Sequence, residues 1–263
     1  MTGPARCRRG LLAASLANVL FLYLPIAVLI VFSFNAAKLA MTWQGFSLQW
    51  YAVLARDHAL MVACRNSVLI ALVSTSVATL LGVSAAIGLE RLPWRIRAWL
   101  DGALLLPLVI PEIMMGVALL LFFVLIKVPL GLLTVTIGHA AFNLPVVMVI
   151  VSARLRKLDP QLEEAARDLG ATPWQAFRRV TLPLLRPAII GAALLAFTVS
   201  LDDFVVTFFT AGPGATTLPL KVYSMIKTGI SPEINALSAI LVVASMCLVG
   251  LSLLVQRRSI FTH

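Results

Sequence analysis

The chain has 263 residues, 60% of them hydrophobic and 12% charged, with 21 Lys and Arg against 11 Asp and Glu for a formal net charge of +10. A soluble domain carries about 45–50% apolar and about 25% charged residues, so a mean hydropathy of +0.99 leaves too few polar side chains to cover a globular surface. An ordinary cytosolic enzyme, a secreted disulfide scaffold and a disordered protein are excluded, and lipid is the solvent for most of the chain. The basic excess anchors helix ends rather than binding nucleic acid, because no basic stripe with interleaved aromatics exists. Cys7, Cys64 and Cys247 are odd in number and fall in no metal-like spacing.

Crossing a hydrocarbon core of about 30 Å takes about 20 apolar residues. Six runs qualify, near 11–34, 67–89, 102–126, 130–153, 187–210 and 235–255. The first follows Arg6, Arg8 and Arg9, but its apolar stretch is longer than the roughly 7–15 residues of a signal peptide, so it is read as a retained span. Assigning loops to alternate sides puts three Lys and Arg at the N-terminus, three in 90–101, seven in 154–186 and two at the C-terminus on one side, against six on the other. The positive-inside rule then places both termini in the cytoplasm. The expected organisation is an all-α, six-span membrane protein, with a cytoplasmic N-terminus at 1–10, a membrane domain at 11–258 and a tail at 259–263. Trp43, Trp50 and Tyr51 fall in the first outer loop, where aromatic side chains favour the interface.

The longest cytoplasmic segment, 154–186, is punctuated as two short helices. Asp159-Pro160 predicts an N-cap followed by proline at the first helical position. Gly170 suits a left-handed helix end. Thr172, Pro173 and Gln175 spell a second start with a capping box, and Pro183 and Pro187 are expected to stop that helix before the membrane resumes. Leu162, Leu169, Trp174 and Phe177 remain available to pack, either on each other or on a partner.

The spelling within that segment carries more than its periodicity. Glu164-Ala165-Ala166, three residues, Gly170, nine residues and Val180-Thr181-Leu182-Pro183 resemble the EAA signature of bacterial ABC-importer permeases, with Val180 in place of isoleucine. The resemblance implies a type I importer permease fold. It also implies that Glu164, Ala165, Ala166, Gly170, Leu182 and Pro183 belong to coupling helices seated on an ATP-hydrolysing subunit. Two such ATP-binding subunits, a homologous permease and an extracytoplasmic binding protein, periplasmic or lipid-anchored, are the implied partners. ATP and Mg would be held by the partners, with no cofactor in this chain, and the implied location is the bacterial inner membrane.

A narrower resemblance lies in the last third. Ser200-Leu201-Asp202-Asp203-Phe204, Gly212-Pro213-Gly214, Thr217-Leu218-Pro219 and Ser231-Pro232-Glu233-Ile234-Asn235-Ala236-Leu237 are similar to the second permease of spermidine/putrescine importers, as are Asn66-Ser67 and Pro111-Glu112. Permeases for iron, sulfate and phosphonates share the scaffold and remain the alternative substrates. The acids bear on the choice directly. Glu112, Asp202 and Asp203 interrupt apolar spans, where an ionised carboxylate costs at least about 2.5 kcal/mol. At 1.5 Å per residue, Glu112 lies about 15 Å and Asp202 about 22 Å in from the starts of their spans. The three are expected either to form a ladder for a polycation or to cap broken helices.

Several motifs are missing. No Gly-x-x-x-x-Gly-Lys-Ser/Thr precedes Lys227-Thr228, so the chain has no ATP loop of its own. His58 and His139 are isolated in sequence and read as interfacial or packing residues, Met114-Met115 as span packing. Ser84 and Ser200 have no histidine at a recognisable spacing, which gives an intramembrane enzyme no support. A self-sufficient secondary transporter would show internal repeats, and none is visible.

Overall fold

The computed structural model describes residues 3–37, 42–229, 232–243 and 246. Among these the regular secondary structure is helical, apart from an isolated antiparallel bridge between Asn35 and Phe46. The helices are α1 (Gly3–Phe32), α2 (Gln49–Leu54), α3 (His58–Glu90), α4 (Trp94–Val109), α5 (Glu112–Leu125), α6 (Leu132–Leu155), α7 (Gln161–Asp168), α8 (Pro173–Ala176), α9 (Leu182–Asp202), α10 (Val205–Thr210) and α11 (Leu218–Thr228), followed by α12 (Pro232–Val243). The chain divides into two compact units, Met1–His58 with Val222–His263, and Ala59–Lys221.

In the first unit, the segment after α1 is folded around Asn35. Its Oδ1 accepts from the amides of Ala37 and Gln44 at 3.2 and 2.9 Å, and its Nδ2 donates to the Thr42 carbonyl at 2.7 Å. Trp50 donates its indole N–H to the Asn35 carbonyl at 2.8 Å, and the Tyr51 and Ser33 hydroxyls meet at 2.7 Å. Two of the three predicted interfacial aromatics therefore build the loop's own structure.

The second unit is a packed helical body. A stripe of small side chains recurs every third or fourth residue along α3 (Ala63, Ser67, Ala71, Ser74, Ala78, Gly82 and Ala86), all buried. It lets the backbones approach closely, which is how helices associate in lipid without a hydrophobic driving force. A Cβ at Gly82 would lie 2.9 Å from the Leu144 carbonyl and from Val147 Cβ. Ala86 and Leu89 join Val147, Met148 and Val151 of α6 and Ala192 and Ala196 of α9 in the core, with Leu104 and Leu105 of α4 packed on its edge.

Two predicted spans are not single rods. The stretch read as 102–126 is α4 and α5, bent by 103°. Ile110 and Pro111 are extended, with ψ of 133° and 136°. Pro111 donates no amide hydrogen and forces the residue before it out of helical conformation, which the apolar run alone does not reveal. The stretch read as 187–210 ends as a helix at Asp202, turns through Asp203 and resumes as α10. Its start differs too. Pro183 and Pro187 do not stop the preceding helix, because Pro173–Asp202 runs on through a π turn at Phe177–Thr181. The wider turn accommodates the register change that a proline imposes on the hydrogen-bond ladder. Among the described residues, four helices are long and apolar enough to span a membrane, or five if α4–α5 is one broken span. Most of the run at 235–255, and the tail at 259–263, lie outside the described residues.

Candidate transport pathway and coupling surface

The two breaks meet at one cavity of about 390 Å³, lined by residues that include Glu112, Asp202 and Asp203 together with Met115, Phe142 and Phe204. All three predicted acids are thus gathered around a single space, rather than strung at two depths as the rise per residue suggested. Glu112 opens α5 directly after Pro111, and Asp202 is the last residue of α9. Both are exposed on the cavity wall, and among the described residues neither is tied into a hydrogen bond or ion pair. Glu112 stands at the start of a helix, where the positive end of the helix dipole favours negative charge.

Asp203 is different. Its Oδ1 accepts from the Val206 amide at 3.3 Å, and its Oδ2 from the Thr207 amide and hydroxyl, each at 2.9 Å. It is the side-chain cap of α10. Its Oδ2 also lies 3.0 Å from His139 Nε2, with 6% of the Asp203 side chain and 1% of the His139 side chain exposed. The other ring nitrogen, Nδ1, is 2.7 Å from Ser200 Oγ, which in turn lies 3.1 Å from Ser74 Oγ. One polar chain therefore runs from α3 through α9 and α6 to the head of α10. With Nε2 protonated, every link has one donor and one acceptor: Ser74 to Ser200, Ser200 to Nδ1, Nε2–H to Asp203.

His139, isolated in sequence, and Ser200, with no histidine at a recognisable spacing, are thus brought together by the fold. The partner of Ser200 is 61 positions away on another helix, a pairing no local spacing could display. The three residues have the composition of a nucleophilic triad. Ser200 is nevertheless buried and shared with Ser74, so its hydroxyl is committed to neighbouring helices and not presented to the cavity. The arrangement fastens helices together and supports no bond cleavage.

Apart from Pro183 and Pro187, which do not end its second helix, the 154–186 segment forms as its punctuation predicts. Asp159 Oδ1 accepts from the Gln161 amide at 3.0 Å. Gly170 has φ of 89°, and the Ala171 amide reaches back to the Ala166 carbonyl at 3.1 Å, closing α7. The capping box is complete, with Gln175 N to Thr172 Oγ1 at 3.3 Å and Thr172 N to Gln175 Oε1 at 3.0 Å. Trp174 stacks on Phe177, yet Leu169 is 89% and Trp174 66% exposed. The segment does not cover its own apolar face. Glu164 and Ala165 stand on α7, and Leu182 and Pro183 open α9.

Residues 78–259 match the family described as "Binding-protein-dependent transport system inner membrane component". The chain belongs to that family. It is 41% identical over 237 residues to the spermidine/putrescine transport system permease protein PotC of Escherichia coli (strain K12), covering 90% of each chain. To the putrescine transport system permease protein PotI of the same strain it is 45% identical over 238 residues, covering 88% of this chain and 84% of PotI. A putative 2-aminoethylphosphonate transport system permease protein, PhnV of Salmonella paratyphi A, is 30% identical over 237 residues. Among solved structures, a bacterial ABC transporter that imports the acidic polysaccharide alginate superposes with a TM-score of 0.70 at 17% identity, covering 98% of both chains. The inward-facing methionine transporter MetNI gives 0.61 at 19% identity over 79% of this chain and 95% of that one. The fold is that of an ABC-importer permease, in a multi-pass protein of the bacterial inner membrane. For such a permease, broken helices at a shared cavity are where irregular backbone is tolerated at membrane depth.

Proposed function

We propose that this permease forms half of the translocation pathway of an ATP-driven polyamine importer, with putrescine or spermidine as the substrate. The observation that carries the reading is the cavity bearing Glu112 and Asp202. Its volume lies within the roughly 300–1,000 Å³ range of small-molecule sites. Two unpaired carboxylates offer charge-assisted hydrogen bonds to ammonium groups, while Phe142, Phe204 and Met115 present apolar surface to the methylene chain between them. The polyamine systems of the PotC and PotI relatives support the same substrate class. An anionic phosphonate would meet repulsion at this wall.

In this reading the protein has six spans with both termini cytoplasmic and pairs with a homologous permease. It receives substrate from a periplasmic or lipid-anchored binding protein. Two partner subunits bind ATP and Mg and hydrolyse the nucleotide. Glu164, Ala165, Ala166 and Gly170 form the contact through which those subunits drive it, with Leu182 and Pro183 setting the return into the membrane. The exposed Leu169 and Trp174 are the apolar surface that such a contact would cover. Alternating access then follows from rigid-body movement of the coupling helices with the ATPases.

The test is uptake of labelled putrescine and spermidine in cells lacking other polyamine importers, supplied with the whole operon. Saturable uptake that requires this chain is expected, and its absence, with uptake of a phosphonate instead, overturns the substrate class. Topology is checked in a background lacking the native cysteines. A cysteine at Thr172 should react with an impermeant thiol reagent from the cytoplasmic side only, and one at Gly214 from outside only.

A further inference from the structure

Four charged side chains interlock where the helical body meets the coupling segment. Glu90 is the last residue of α3. Its Oε2 accepts from Arg97 Nη1 at 2.6 Å, and its Oε1 from Arg97 Nη2 at 2.5 Å and from Arg156 Nε at 2.8 Å. Asp101, one turn along α4 from Arg97, lies 3.5 Å from Arg97 Nε and 3.9 Å from Arg156 Nη2. Two acids and two bases balance. The Glu90–Arg97 pair is bidentate, the geometry in which a guanidinium–carboxylate contact is directional rather than a loose attraction.

What this network joins gives it meaning. Arg156 caps the end of α6 and is the first residue of the coupling segment after that helix. Arg97 and Asp101 lie on α4, which has no fully buried residue and touches the core only through partly buried Leu104 and Leu105. α4 therefore has little packing of its own, and its charged contacts with Glu90 and Arg156 are what connect its first turns to the ends of α3 and α6. At its far end is the Ile110–Pro111 break, and directly beyond the break stands Glu112 on the cavity wall. The coupling segment is itself cross-tied, since Glu163 of α7 accepts from Thr181 Oγ1 at 3.0 Å and from Arg167 Nη2 at 2.7 Å. A second cavity, about 290 Å³, is lined by residues that include Glu90, Arg156, Glu163 and Thr181.

We propose that Glu90, Arg97, Asp101 and Arg156 form the transmission contact that carries movement of the coupling segment into α4, and through it to the break that presents Glu112. The four are positioning residues and touch no substrate. The inference rests on the coupling role given above to the 154–186 segment. The four side chains keep between 23% and 55% of their surface in solvent, and ion pairs that water reaches add little to overall stability, so loss of this network leaves the fold standing while it disconnects the two ends. Arg156 is the member to vary most finely. Lysine keeps the charge beside Glu90, whereas glutamine keeps an N–H donor at the position of Nε and removes the charge.

The experiment uses the reconstituted complex in vesicles, with the native cysteines replaced and Ile110→Cys as a reporter at the break. Reactivity of that thiol is measured with and without vanadate-trapped ATP, alongside ATP hydrolysis and putrescine uptake. The parent complex should show an ATP-dependent change in reactivity. In Glu90→Gln and Arg156→Gln that change should disappear and putrescine carried per ATP should fall at least about fivefold, with hydrolysis within about twofold of the parent. Arg156→Lys should retain both. A full reactivity response in Glu90→Gln and Arg156→Gln overturns the proposal, as does loss of hydrolysis in step with transport. A parent complex whose reporter thiol responds to ATP but which imports no putrescine sinks the substrate reading alone, because the reporter still decides the role of the network.

Discussion

The imidazole of His139 and the carboxylate of Asp203 meet 3.0 Å apart with almost no solvent exposure, joining α6 to the cap of α10. That contact separates two neighbouring aspartates into different roles. Asp203 is committed to the amides of Val206 and Thr207 and to the histidine, whereas Asp202 stays exposed at the cavity.

Asp202→Asn and Glu112→Gln should therefore slow polyamine uptake while leaving membrane insertion and thermal stability unchanged, and the double variant should lose more than either alone. The carboxamides keep shape and remove one charge each from the cavity wall. Uptake of labelled putrescine and spermidine measures the effect. Near-parental rates in the double variant would leave both acids without a part in the pathway.

His139→Ala removes one of the four donors to a buried carboxylate, and a hydrogen bond to a charged group is worth more than one between neutral groups. A loss of about 1–3 kcal/mol is expected, read as a lower midpoint in thermal unfolding of the purified complex. His139→Gln, which can still offer an N–H, should lose less. Equal midpoints for the two variants would remove the hydrogen bond from the explanation. Asparagine at 203 can still cap α10, since Asn and Asp cap about equally, but it lacks the charge that His139 meets.

Gly170→Val places a β-branched side chain at φ of 89°. No atom lies within 4 Å of the Cβ position, so the cost is backbone strain alone, about 1–2 kcal/mol or more for a branched residue. Insertion should be normal and coupled transport lost. Gly170→Asn, which tolerates the left-handed region, should keep most of it.

Gly82 and Gly88 on α3 make a paired test of packing. Gly82→Ala drives a methyl group into the Leu144 carbonyl and Val147 at 2.9 Å, for which about 1–3 kcal/mol of destabilisation is typical. Gly88→Ala meets nothing within 4 Å and should be neutral or stabilising by up to about 1 kcal/mol, through helix propensity. The unfolding midpoint should fall for Gly82→Ala and should not fall for Gly88→Ala.

Local chemistry made the 154–186 segment readable from sequence. Thr172, Gln175, Gly170 and Asp159 each act within a few residues of themselves, and all four form the bonds or the backbone conformation their types imply. The acids were visible for a different reason, since a carboxylate in an apolar run is conspicuous wherever the chain folds. Helix continuity was less legible. Pro111 ends α4 whereas Pro187 lies inside α9, and the difference depends on whether neighbouring backbone can shift register, as the π turn at Phe177–Thr181 does. Long-range polar pairs were hidden altogether. His139 with Ser200, and Glu90 with Arg156, are separated by 61 and 66 positions, and only packing of α3, α6 and α9 brings them into reach.

The bend between α4 and α5 also bears on the fate of a solitary copy of this chain. Near Ile110 and Pro111 the last carbonyls of one helix and the first amides of the next have no partner within either helix, and Ile110 is 40% exposed. Hydrocarbon cannot solvate such groups, at a cost of several kcal/mol each. An orphan subunit would drag water and thinned bilayer to that spot, which marks it for quality-control proteolysis. Its steady-state abundance should then follow the supply of whatever polypeptide covers the break, so that overproducing this chain alone yields degradation rather than surplus permease.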